Sequence, residues 1–448
     1  MISITEENRR WWILGAMGGV MSIILLDETV VGVALPTMQR DLALSHVGAH
    51  WVINSYLLVF TVLAAAGGKL GDTLGHRALF VVGVVLFGLS SLACGFSGNA
   101  PSIMSARALQ GVGAAIVFPL SFAMITVVFP PEQRGVAFGI FSAVGSAALA
   151  VGPLAGGFFT DTLSWRWVFW INPPIVVVIA FIVLRAWREP ARDGPSESLD
   201  VPGLAALSLG LGMVVVGLMQ GPEWGWSHPA ILALLVGGPA MLILFAVVER
   251  RRAMPLLDVT LFAGGTFSVS NFNIFTAQFN QMAIVVFGAL YFQHVLHMSP
   301  LLAGLALLIA VGAVPLTAVP TGRLTDRIGA RRVMLGGLAL AAASLSWLGI
   351  AVLWENYLLL APGLVGWGAS NAALFVAPRH AIMNGIAPAK QGQASGISMT
   401  GQLLGGTMAV AACGTILAMT FNFTAVFLFP AGLSLLVLFL TWLCVKVR

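Results

Sequence analysis

Apolar runs of about 20 residues recur along this chain from end to end, and each is long enough to cross a hydrocarbon core of roughly 30 Å as a helix. Roughly fourteen such runs are counted on that criterion. They begin near Trp12, Trp51, Ala78, Ser102, Val136, Trp167, Gly203, Ala230, Phe267, Leu301, Val333, Tyr357, Ser395 and Val426. The longest polar break, Arg185 to Asp200, is too short to hold a soluble domain. The first run lacks a small-residue cleavage site and reads as a retained helix. The pattern predicts an all-α polytopic membrane protein with fourteen transmembrane helices.

Two polar segments are written twice. Gly68-Lys69-Leu70-Gly71-Asp72-Thr73-Leu74-Gly75-His76-Arg77 matches Gly322-Arg323-Leu324-Thr325-Asp326-Arg327-Ile328-Gly329-Ala330-Arg331, 254 residues on. The segment opening Pro131-Glu132-Gln133-Arg134-Gly135 matches that opening Pro388-Ala389-Lys390-Gln391-Gly392, 257 residues on. A weaker match, at 255, aligns Gly111-Val112-Gly113-Ala114 with Gly366-Trp367-Gly368-Ala369. Internal symmetry of this kind marks secondary transporters, which place substrate and ion sites near the midplane between repeats. Six runs precede Arg185 and six follow Thr266. The expected organisation is a six-helix bundle over 1–190, an inserted two-helix hairpin with its linkers over 191–260, and a second, pseudo-symmetric six-helix bundle over 261–448.

Soluble proteins carry about 25% charged residues; here 9% of 448 are charged and 58% hydrophobic, with a mean hydropathy of +0.95. With the N-terminus inside, 19 of the 22 Lys and Arg residues fall on the cytoplasmic side, the exceptions being Arg40 and Arg166 outside and Arg107 within a span. This asymmetry predicts that both termini are cytoplasmic. The net charge of +5 is then a matter of topology and implies no nucleic-acid partner. Cys94, Cys413 and Cys444 lie in apolar runs at spacings that match no metal or redox site, so they read as packing residues. No GxxxxGK[ST] loop is present, which argues against ATP as the energy source. No metal or cofactor is expected. No nucleophile–base constellation can be assembled from the few intramembrane polar residues, which argues against an enzyme.

Against this scarcity of charge, Asp27 and Glu28 stand together in the first run. A carboxylate at the centre of a bilayer helix costs about 2.5–3.5 kcal/mol on insertion scales. Burial favours its neutral form, so such a group can take up and release protons. Asp27 is the expected proton carrier, with a structural ion pair to Arg107 as the alternative. Glu28, about 100° further round the helix, is either a second proton or substrate-cation site or a group reaching to the headgroups. Arg107 is the one base placed within a span; its repeat partner at the 255 offset is Pro362, so the charge is not a symmetric scaffold feature.

These segments resemble the major facilitator superfamily, and specifically its fourteen-helix drug:proton antiporter branch. Gly68 to Arg77 is similar to the superfamily loop between the second and third helices. Leu26 to Pro36 resembles the branch's first-helix motif, departing at Gly32, where that branch usually has Asn. Arg107 to Ala115 resembles the fourth-helix motif linked in the family to proton transfer. Gly152-Pro153-Leu154-Ala155-Gly156-Gly157 resembles the fifth-helix antiporter motif, with Ala148 in place of an upstream Gly. Trp165 to Pro173 is also similar to the branch pattern. The resemblance covers essentially the whole chain.

The doubled loops are read as a conformational latch made of Gly68, Gly71, Asp72, Gly75 and Arg77 with Asp326, Arg327 and Arg331. The two aspartates would dock on helix N-termini of the opposite half, near Gln391 and Arg134, or else merely cap their own loops. Gly152, Pro153, Gly156 and Gly157 predict a thin, kinked fifth helix, with tight packing as the plainer explanation. A substrate cavity is expected from Asn54, Gln110, Asn273, Gln278, Gln281, Asn371, Phe375 and Gln402. The run from Phe267 to Leu290 supplies the amides of one wall, and interhelical amide packing is the alternative. The resulting expectation is a monomeric, multi-pass protein of the bacterial inner membrane, driven by the proton gradient. It would export hydrophobic or cationic small molecules by alternating access. A dedicated metabolite or lipid exporter is the rival, and a non-coupled channel or receptor-like protein a more distant one.

Overall fold

The computed structural model describes residues 5, 7–44, 46–189, 200–251, 259–386 and 391–445. Among them there is no strand, and the apolar runs fold as helices. In chain order these are α1 (Arg9–Asp41), α2 (His46–Leu74), α3 (His76–Phe96), α4 (Ala100–Val128), α5 (Pro131–Thr162), α6 (Trp167–Ala186) and α7 (Val201–Trp224). They continue as α8 (Pro229–Glu249), α9 (Gly265–His294), α10 (Leu302–Ile328), α11 (Ala330–Trp354), α12 (Tyr357–Gly385), α13 (Gln391–Thr420) and α14 (Phe423–Cys444). Thirteen are long and apolar enough to cross a membrane, and α2 adds the apolar stretch Trp51–Ala64.

Helices are the answer to hydrocarbon, which offers the backbone no partner and obliges each segment to satisfy its own N–H and C=O groups. Short polar residues set where several begin. Asn99 and Ser102 form a reciprocal capping box at the start of α4, and Asn356 and Asn422 cap α12 and α14. By contrast, α3 and α11 follow Gly75 and Gly329, whose φ values of 95° and 87° suit glycine alone. These two glycines hold the same place in the two copies of the repeated loop.

The helix packing is doubled as well. In the first half α1 packs on α5 and α6, α2 on α4, and α3 on α4 and α6. In the second half α9 packs on α13 and α14, α10 on α12, and α11 on α12 and α14. One register in the sequence comparison needs correction. Both α4 and α12 have 29 residues, and aligning their starts gives an offset of 257, not 255. Gly111 lets α4 approach α2, where an added Cβ would lie 2.6 Å from the Tyr56 carbonyl oxygen. Gly368 does the same for α12 against the Ala310 carbonyl of α10, whereas Gly366 faces Ser344 of α11. The counterpart of Arg107 is therefore the buried Leu364, not Pro362.

The chain divides into two compact units, and the division falls inside α7, between Gly212 and Met213. The second unit includes α8, and there Trp226 Nε1 of the α7–α8 turn donates to Thr415 Oγ1 of α13 at 3.1 Å. Much of the linker sequence expected around the hairpin, 190–199 and 252–258, lies outside the described residues. Leu232, Val236, Ile243 and Leu244 of α8 are exposed, an apolar surface that suits lipid and not water.

Candidate functional site

Asp27 lies near the middle of α1 and is completely buried. Arg107 Nη1 donates to its Oδ2 at 2.6 Å, and Gln110 Nε2 donates to its Oδ1 at 3.1 Å. Arg107 Nη1 also donates to Gln110 Oε1 at 2.8 Å, which closes a triangle, and Arg107 Nε donates to the Val52 carbonyl at 3.0 Å. The guanidinium carbon sits 4.3 Å from the Tyr56 ring centre and 5.8 Å from that of Phe169, within cation–π range. Arg107 and Gln110 are three apart on α4 and so share a face. The cluster is sealed, with Asp27, Arg107 and Gln110 at 0%, 1% and 0% exposure. Gln110, expected in the substrate cavity, belongs instead to this ion pair.

Glu28 joins none of these bonds, and its Oε2 is enclosed with no hydrogen-bond partner among the described residues. The next turn of α1 is the seat of α5. Gly152 packs directly against Thr29, and a Cβ at Gly156 would lie 2.9 Å from the Val30 carbonyl oxygen. Thr29 Oγ1 donates to the Leu149 carbonyl of α5 at 3.3 Å. Gly157 meets open space, and the Pro153 side chain lies outside the described residues. Asn54 is half-buried on α2, between Val52 and Tyr56, which both meet Arg107.

The polar face of α9 divides in two. Asn273 and Asn280 donate to Thr441 and Ser434 of α14, each at 3.0 Å. Asn273 is therefore a fully buried interhelical lock and not the cavity-wall residue expected from its spacing. The other pair turns towards α12 and α13: Asn371 Nδ2 donates to Gln281 Oε1 at 3.1 Å, and Gln402 Nε2 donates to Gln278 Oε1 at 3.0 Å. Gln402 Oε1 in turn accepts from Arg379 Nη2 at 2.6 Å, and the Arg379 guanidinium lies 5.4 Å from the centre of the half-buried Phe375 ring. The α12 helix runs through Pro378 to Gly385 and carries Arg379 in its last two turns.

The doubled loops place their arginines alike. Arg77 Nη2 donates to the Leu184 carbonyl near the end of α6, and Arg331 Nη2 to the Trp442 carbonyl near the end of α14, both at 2.6 Å. The Glu189 carboxylate caps α3, accepting from the N–H groups of His76 at 2.8 Å and Arg77 at 3.1 Å, and from the Trp187 indole at 2.8 Å. Partial burial works against its charge, but these three bonds and the neighbouring His76 together hold the carboxyl below its ordinary range. Asp326 Oδ1 meets His380 Nε2 at 3.2 Å, and Arg327 is exposed. Gly71 packs on Leu120. The side chains at Gly68, Asp72 and Arg134, named in the expected latch, lie outside the described residues.

One further contact was missed from sequence. Asp41, at the end of α1, accepts from Trp165 Nε1 at 2.8 Å and Arg166 Nη1 at 3.0 Å, while Arg166 lies 4.3 Å over the Trp165 ring. Adjacent Trp and Arg at Trp165-Arg166 were the available signal.

Comparison with known proteins places these features in a wider set. The sequence model of the Major Facilitator Superfamily matches residues 17–271 and, a second time, 270–448. The puromycin resistance protein pur8 of Streptomyces alboniger is 35% identical over 92% of this chain and 82% of its own length. The tetracenomycin C resistance and export protein of Streptomyces glaucescens is 32% identical over 92% of this chain and 77% of its own. The crystal structure of the human organic anion transporter MFSD10 superposes with a TM-score of 0.71, covering 98% of this chain and 100% of that one. At 15% identity it shares the fold.

Proposed function

The chain belongs to the major facilitator superfamily, and on that premise we propose that it is a proton-coupled antiporter exporting hydrophobic or cationic small molecules by alternating access. The observation that carries the reading is the buried Asp27–Arg107–Gln110 triangle. While Asp27 is ionised, its charge cancels that of Arg107. A proton arriving from outside neutralises Asp27 and leaves the guanidinium buried without its counter-charge. Removing one partner of a buried pair costs about 3–5 kcal/mol, so protonation disfavours this arrangement and drives the carrier to its other state. One elementary charge crossing about 100 mV yields about 2.3 kcal/mol, somewhat less than that cost but of the same order. The seat of α5 on Thr29 and Val30, just beyond Asp27, gives that event a direct mechanical neighbour.

The relatives named for puromycin resistance and for tetracenomycin C resistance and export support antibiotic-like molecules as the cargo. The charge asymmetry supports cytoplasmic termini. The apolar helices and the bacterial relatives support a multi-pass protein of the bacterial inner membrane, and membership of the superfamily supports work as a monomer. The doubled loops serve conformational control in this reading, with Arg77 and Arg331 keeping each half together as a body while the states exchange.

The test uses proteoliposomes with an imposed pH gradient, a panel of lipophilic cations, and Asp27→Asn beside wild type. Uphill substrate movement against the proton flux, abolished in Asp27→Asn while binding persists, is expected. Transport indifferent to the gradient in both proteins would sink the proton model, and movement of a single compound from the panel would mark a dedicated exporter.

A further inference from the structure

We propose that a groove at the cytoplasmic ends of α2, α3 and α6 holds an anionic phospholipid of the inner leaflet, of the phosphatidylglycerol type, with Arg77 on its phosphate. The site is apart from the Asp27 cluster and stands whether or not the protein exports.

The groove has a volume of about 480 Å³ and lies within the first unit. Leu74, Ala78, Val81 and Leu184 supply its apolar lining, and Arg77 and Glu189 its charged members. Leu74 and Leu184 are 61% and 46% exposed, so the walls are open to the acyl chain of a neighbouring lipid. The two charged groups are unequal. A carboxylate has about four acceptor sites, and those of Glu189 are all engaged. Its Oε1 meets the His76 N–H at 2.8 Å and the His76 ring at 3.3 Å, and its Oε2 accepts from the Arg77 N–H at 3.1 Å and the Trp187 indole at 2.8 Å. An incoming ammonium finds no lone pair there. Arg77 is exposed, and its guanidinium is held by the Leu184 carbonyl through Nη2, with no carboxylate paired to it among the described residues. The planar fork therefore keeps donors for a phosphate, anchored by a bond that leaves the charge uncancelled. Arg185, the residue after Leu184, is a second exposed cation, with its guanidinium 5.1 Å from the Phe181 ring centre. The open polar capacity is all of the donor kind, which suits a phosphodiester with an uncharged head over one carrying an ammonium. Basic pockets between transmembrane helices on the cytoplasmic side seat anionic headgroups elsewhere.

The second half supplies a contrast. Arg331 makes the same bond to the Trp442 carbonyl, and the exposed Trp442 ring stacks on Phe439. At that offset of 258, Trp442 stands for Leu184 and Leu443 for Arg185. A bulkier side chain takes the wall position, and the second cation is missing.

The experiment is native mass spectrometry of the purified full-length protein with phosphatidylglycerol and phosphatidylethanolamine of matched chains. Wild type is expected to hold phosphatidylglycerol about five-fold more tightly, the worth of one basic side chain at an anionic surface. Arg77→Gln should erase the preference, and Arg327→Gln, which removes an exposed cation from the other copy of the loop, should leave it intact. Leu184→Trp keeps the Arg77 bond, introduces a side chain that the second half accommodates, and should weaken retention of both lipids. It decides the matter alone if Arg77→Gln does not fold. Glycerophosphoglycerol, the headgroup without chains, should not displace the lipid. Equal retention of the two lipids by wild type, a preference that survives Arg77→Gln or falls equally in Arg327→Gln, or unchanged retention in Leu184→Trp overturns the site. Displacement by glycerophosphoglycerol would overturn it too, as the mark of a site for free phosphate esters.

Discussion

Gln110 donates to Asp27 with its amide nitrogen at 3.1 Å and accepts from Arg107 with its amide oxygen at 2.8 Å, so one neutral side chain holds both members of an ion pair in place. Gln110→Leu strips a buried carboxylate oxygen and a buried guanidinium N–H of that support. Each orphaned buried group costs about 1–3 kcal/mol. A fall in the unfolding temperature of the detergent-solubilised protein is expected, together with weaker uphill transport in vesicles. Wild-type values for both would show that Gln110 is a spectator.

Breaking the pair from one side should be worse than removing it. Arg107→Leu alone leaves the Asp27 charge buried and is expected to cost about 3–5 kcal/mol, while adding Asp27→Asn recovers most of that loss. A double-mutant cycle on unfolding free energy measures the coupling directly. Additive effects would mean that the two groups do not sense each other despite their 2.6 Å contact.

Glu189 gives the first half a pH-dependent fastening. Its carboxyl titrates below the ordinary 4.5, so its bonds to the start of α3 contribute stability above that pH and lose it as the pH falls through the lowered value. Glu189→Gln should therefore unfold at a lower temperature than wild type at pH 7, with the gap closing progressively below pH 4.5. A gap that stays constant across that range would assign the effect to packing.

At Gly329 a Cβ would meet nothing within 4 Å, so the backbone angle of 87° alone sets the cost of a side chain. With ψ at 149° this is a backbone region essentially confined to glycine, so Gly329→Ala is expected to destabilise by about 1–3 kcal/mol. Gly329→Asn, whose advantage is limited to the left-handed helical region, should lose about as much in the same thermal melt.

Hydropathy and the doubled loops were enough to foresee the helices and their six-and-six arrangement, because spans of this length and polarity have one stable conformation in lipid. Asp27 and Arg107 were legible for a related reason: buried charge is costly enough to stand out. What the sequence hid was rotation about each helix axis. Asn273 and Gln278 are both amides on α9, yet one locks onto α14 and the other reaches Gln402, because a few residues carry a side chain to a different face. The α12 helix also runs through Pro362 and Pro378, as a helix in a membrane can when neighbouring groups satisfy the freed carbonyl.

Arg77 and Arg331 reach back across 107 and 111 residues of sequence to the carbonyls of Leu184 and Trp442. Each bond is a clasp that fastens a half to itself, early loop to last helix, and owes nothing to the other copy. A segment of this kind carries its own closure wherever it is placed. A half fastened in this way can tilt as one piece without that bond having to break.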